Sequence, residues 1–211
     1  LRRCKLPRMK LRVLSILWIV SAAHAAPKYG PEGAPQAVPL AQATEFFRQA
    51  PAPDYWAMAG FYVPQFNGAA CSLASVTMAL NAARAKIAKS SETKVITQQA
   101  LLAQIGGDWK KRVDPVLGLS KVRGVTLDLL AKFAEEAFRK NGFEKARAEV
   151  VRLDPKFRTS LQKLQSDLAE NEKSDADFIL ANFDQKLFTD DSEAGHIAPI
   201  AAYDAKNHRV L

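Results

Sequence analysis

The chain has 211 residues, 48% hydrophobic and 25% charged, with a formal net charge of +8. That composition suits one globular domain with a real core and excludes a disordered or fibrous chain. Arg2, Arg3, Lys5, Arg8, Lys10 and Arg12 supply six of the positive charges, no acidic residue stands before Ala26, and the remainder carries only +2. An excess confined to one end of the chain does not indicate a nucleic-acid partner.

Those basic residues precede a short apolar run, Val13 to Val20, and a small-x-small site at Ala23-His24-Ala25. This is the tripartite pattern of a secretory signal over residues 1–25, with Met9 as its opening and Ala26 as the mature start. The run is about half of the ~20 residues needed to span a bilayer, so no stable membrane anchor is expected. Export, to a bacterial periplasm, is the expected destination. Cys4 leaves with the signal, and the mature chain keeps a single cysteine, Cys71. A lone thiol in an oxidising compartment has no disulfide partner and is a candidate nucleophile.

Residues 26–53 are rich in proline and glycine and read as a linker or arm, with a short helix over Leu40 to Ala50. A domain is expected over residues 54–211. Asp54 to Pro64 is aromatic-rich (Tyr55, Trp56, Phe61, Tyr62), and core packing is expected of it. Gln65 to Asn81, QFNGAACSLASVTMALN, then sets Cys71 between a loop and a helical pattern. A helix starting there favours the thiolate through its unpaired N–H groups and its dipole. The side-chain amide of Gln65 is suited to receive an oxyanion beside the same sulfur. A buried cysteine opening a core helix is the plain alternative.

Lys86 to Lys94 reads as a connection. Thr97 caps a helix through Ile105, ended by Gly106-Gly107. Asp108 to Arg123, with Pro115 and Gly118, is expected to be irregular. Thr126 caps an amphipathic helix over Leu127 to Asn141 that Gly142 ends. Ala148 to Leu153 is a predicted strand, and residues 159–171 a predicted helix. Phe178 to Phe183 and Gly195 to Tyr203 are predicted strands separated by a polar loop, Asp204 to Asn207 a turn, and His208 to Leu211 the start of another strand. Helices first and antiparallel strands last make the class α+β.

Among three histidines, His24 leaves with the signal and His208 lies beside a turn. His196 follows Gly195 at the start of an apolar strand. A strand histidine is commonly a packed residue, but an early helix cysteine with a late strand histidine is also the arrangement of a thiol and its general base.

QFNGAACSLASVTMALNA and GHIAPIAAYDAKNHRVL resemble the cysteine and histidine motifs of phytochelatin synthases, the glutathione γ-glutamylcysteinyltransferases. VRGVTLDLLAKFA and DFILANF match in order and type, over most of residues 55–211. The resemblance implies a papain-like fold, C-terminally incomplete, with Cys71 as nucleophile, His196 as general base and then acid, Gln65 as oxyanion donor, and Gly195 at the substrate. It implies glutathione as substrate, with release of glycine and either transfer or hydrolysis. No organic cofactor is expected, and a heavy-metal ion enters as activator or as the glutathione thiolate; no resident metal ligands are assigned. A homodimer is left open. The family's aromatic and glycine around the cysteine are Ala70 and Ser72 here, its cysteine-rich extension has no counterpart, and its triad acid falls beyond Leu211. Asp204, at a turn, is not given that role. Another papain-like peptidase and a non-enzymatic binding module with a structural cysteine remain as alternatives.

Overall fold

The structure, a computed structural model, describes residues 40–88, 90, 94–113, 124–154, 156–187 and 195–211, without the side chains of 42 and 187. The signal expected over residues 1–25, the start of the arm and the polar loop before Gly195 lie outside the described residues. Among those described, seven α-helices precede two small antiparallel sheets, which is the α+β order expected. The short helix of the arm is α1 (Thr44–Gln49), preceded by a 3-10 turn at Leu40–Gln42, and α2 runs over Pro53–Ala59.

The centre is α3 (Cys71–Ile87), where eleven residues from Ser72 to Ala83 are buried. Its side chains are apolar or small nearly all round, as a helix enclosed on several faces requires. Around it pack α4 (Gln98–Ile105), α5 (Gly107–Val113) and α6 (Leu127–Lys140). Leu73, Val76 and Leu80 of α3 meet Leu101, Leu102, Trp109, Leu130 and Phe133 in one buried cluster. The caps follow local chemistry: Thr97 Oγ1 accepts from Ala100 N at 3.1 Å, and Thr126 Oγ1 from Leu129 N at 3.4 Å. Beyond α6, Gly142 adopts φ +96°, a conformation that costs glycine little. On α6 the buried residues Leu130, Phe133 and Ala137 share one stripe; Leu130 and Phe133 contribute roughly 2 kcal/mol each by burial.

Helix α7 (Arg158–Asn171) places Leu168 against the sheet formed by β1 (Ile179–Asp184) and β2 (Gly195–Ile200). These strands pair antiparallel, Ile179 opposite Ile200 and Phe183 opposite His196. The strand expected through Tyr203 is broken at Ala201. There the backbone changes partner: Ala201 N donates to Leu211 O, and Leu211 N to Ala202 O. Beyond the break, β3 (Tyr203–Asp204) pairs with β4 (Arg209–Val210).

Three local expectations are corrected. Part of the segment from Asp108, expected to be irregular, is helix α5, because Trp109 and Val113, four residues apart, are both buried in the main cluster; residues 114–123 lie outside the description. Ala148 to Leu153 forms no strand. It is tied to α6 by side chains instead: Ala148 N donates to Glu135 Oε1 at 2.9 Å, and Arg152 Nη2 bridges both oxygens of Asp128 at 2.8 and 2.7 Å. Finally, Trp56 and Tyr62 are 60% and 72% exposed, so core packing holds only for part of the aromatic stretch.

Candidate functional site

The loop between α2 and α3 is pinned on both sides of Gln65. Pro64 O accepts from Gln98 Nε2 at 2.8 Å, and Phe66 packs on the main cluster. Asn67 does three things: its Oδ1 accepts from Ala69 N at 2.7 Å, its carbonyl from Ala70 N at 3.2 Å, and its Nδ2 donates to Val113 O at 2.6 Å. An Asn bonding its own backbone two residues on is a turn-former, and here the turn feeds directly into α3. Gln65 itself is half-buried.

Cys71 is the first residue of α3 and is half-buried. The first intrahelical bond runs from Ala74 N to Ala70 O at 2.9 Å. Ala70 has no side-chain acceptor, so no capping side chain competes for the leading N–H groups. Such groups receive negative charge developing next to the thiol.

The helix is moored by its serines. Ser72 Oγ accepts from Trp109 Nε1 at 3.1 Å, with both residues fully buried. Ser75, one turn after Cys71, has its hydroxyl 2.8 Å from Cys71 O and 3.1 Å from Ile197 O. That second contact holds the Cys71 helix against β2, at the residue after His196. Ile197 buries its side chain in the cluster that Cys71 and Ala70 also join.

His196 is half-buried, and burial alone pushes its pKa below the ordinary 6.5, so the ring is neutral near pH 7. Side chains alternate along a strand, so His196 stands on the face opposite Ile197. Its ring meets Phe183 edge-on, centroids 5.6 Å apart at 73°. Among the described residues, no hydrogen bond joins the Cys71 thiol to the imidazole. A concavity bounded by α6, residues 143–153, α7 and the β1–β2 sheet is lined by His196, but Cys71 and Gln65 are not among its lining residues. The structure thus brings the two chain segments together at Ser75 and leaves the two side chains unpaired. Gly195 opens β2; a Cβ there would meet Asn182 Oδ1 at 3.7 Å, an ordinary contact.

Asn67, Ser75 and Trp109 were not singled out from sequence, and Ser72 only as a departure from the family's glycine. Small polar residues one and four positions past a candidate nucleophile were the available signal for the serines. Nothing local marked Trp109. Among the described residues, no group of three or more His, Cys, Asp or Glu side chains is placed to hold a metal ion, and no helix is long and apolar enough to cross a membrane. The phytochelatin synthase family model matches residues 37–211. No curated protein matches the chain.

Proposed function

The chain belongs to the phytochelatin synthase family, a family of acyltransferase-type enzymes, and from that premise we infer that it transfers the γ-glutamylcysteinyl group of glutathione through a Cys71 thioester. The fold is then a papain-like one, with the thiol at a helix N-terminus and the base on a strand. The observation that carries the reading is the Ser75 hydroxyl between Cys71 O and Ile197 O, which keeps the cysteine's helix turn beside the histidine's strand.

In the first half-reaction, His196 takes the thiol proton and the sulfur attacks the carbonyl carbon of the Cys–Gly bond. The oxyanion is received by the Gln65 amide and the leading N–H groups of α3. The imidazolium returns its proton to the departing amine, and glycine leaves. In the second half-reaction, the neutral imidazole deprotonates either water or the amine of another glutathione, which resolves the thioester. A neutral ring is the form both halves start from, and burial favours it. The chemistry requires the imidazole to turn from Phe183 towards the sulfur, with Gly195 as the adjoining backbone pivot. Glutathione carrying a heavy-metal ion on its thiol is a substrate form under this reading; no metal is needed at the protein's own residues. Export by the N-terminal signal, with turnover outside the cytoplasm, is part of the same proposal.

Incubation with glutathione and measurement of released glycine tests it. Cys71→Ser is expected to lose at least about a thousandfold in rate. Glycine release by that variant at the wild-type level would refute the mechanism.

A further inference from the structure

Cys71 and Gln65 lie on different elements, a helix and a loop, and acyl transfer needs the sulfur and the oxyanion donor held in register. A displacement of one ångström in such a pair costs up to about a hundredfold in rate. Helix α5 hydrogen-bonds to a near neighbour of each. Its Trp109 donates the indole N–H to Ser72 Oγ at 3.1 Å, directly after the nucleophile. Its Val113 carbonyl accepts from Asn67 Nδ2 at 2.6 Å, two residues past Gln65.

Trp109 is itself rigidly set. It is fully buried, and its ring stacks face to face on Phe133 of α6, centroids 5.0 Å apart and 4° from parallel. An indole has one donor and no acceptor, and here that donor is committed to a fully buried hydroxyl. Burial of both partners excludes competing water, so the bond restricts where the first turn of α3 sits.

We propose that Trp109 is a positioning residue, which acts through Ser72 and, with the Asn67–Val113 bond, makes α5 a clamp that fixes the spacing between nucleophile and oxyanion donor. This rests on the roles proposed above for Cys71 and Gln65. The clamp touches neither the substrate nor the reacting atoms.

The test uses the full chain as wild type, Trp109→Phe, Ser72→Ala and the double variant, with thermal unfolding of each. Ser72→Ala strands a buried N–H and loses stability; adding Trp109→Phe removes that stranded donor. Glycine release from glutathione is expected to fall about tenfold in kcat in all three, with KM within about twofold, and the double variant no slower than the singles. Alkylation of Cys71 by iodoacetamide, followed on its own peptide so that Cys4 is scored separately, is expected to slow about threefold in each. The proposal is overturned if all three folded variants match wild type in alkylation, or if alkylation tracks stability and recovers in the double variant. Should the wild type release no glycine, the functional reading fails while alkylation still decides the clamp.

Discussion

Asp54 is the group whose replacement tests the energetics of this fold most sharply. It sits in α2 at 2% exposure, and neither carboxylate oxygen has a hydrogen-bond partner among the described residues. Burial pushes its pKa from 3.8 to about 7; Asn171, close by but short of a formed hydrogen bond, tempers this, Asp177 and Glu172 reinforce it, and Lys86 opposes it. The folded state therefore holds the proton more tightly than the unfolded chain does. The carboxyl's contribution to stability is fully present below pH 3.8, declines as pH rises, and is lost above about 7. That displacement corresponds to about 4 kcal/mol opposing folding in alkaline solution. Asp54→Asn keeps the shape and removes the charge. Local opening on ionisation relieves part of the strain in the wild type, so the expected gain is about 3 kcal/mol at about pH 8 and almost none at about pH 4. For a chain of this length that is a rise of about 10 °C in Tm on the alkaline side. Urea and thermal unfolding of both proteins across this range read it directly. His196, lowered by burial and not among the groups that act on Asp54, is common to both proteins and cancels in the difference; Glu172, also raised by burial, repels the Asp54 carboxylate, so Asp54→Asn relieves it too and adds to the gain on the alkaline side. Parallel stability curves for Asp54→Asn and wild type from acid to alkaline pH would refute the reasoning.

Ser75→Ala removes a buried hydroxyl from between Cys71 O and Ile197 O; a loss of about 1–2 kcal/mol in urea unfolding is expected, together with slower glycine release. Because burial lowers the His196 pKa, the acid limb of kcat/KM for glycine release is expected below pH 6.5, and a limb above that value would contradict the proposed role of His196 as base. Thr126→Ala deletes the cap that accepts from Leu129 N; it should cost about 1 kcal/mol of stability and leave KM for glutathione unchanged, as titration with glutathione would report. Breaking the exposed Arg152–Asp128 pair with Asp128→Asn should change stability by less than about 1 kcal/mol in the same unfolding assay.

Local chemistry was legible wherever a residue acts on its own backbone. Thr97 and Thr126 cap their helices, Gly142 ends α6 at a positive φ, and the three-and-four spacing of apolar residues after Cys71 is α3, because capping and periodicity depend only on near neighbours in the chain. The motifs around Cys71 and His196 were enough to indicate the family that the match over residues 37–211 supports. What the sequence left open were the choices made by distant partners. Residues 148–153 have a strand's pattern, but a strand exists only when another offers its hydrogen bonds; here the Glu135 side chain takes the Ala148 N–H, and Arg152 pairs with Asp128 through its side chain. The segment after Gly107 became helix because a buried surface was available to Trp109. Asp54, lying in an aromatic-rich stretch, gave no sign that both its oxygens would be enclosed. His196 could be placed on a strand from its neighbours, but which face it occupies, and that Phe183 lies opposite, followed from register, a property of two strands rather than of one.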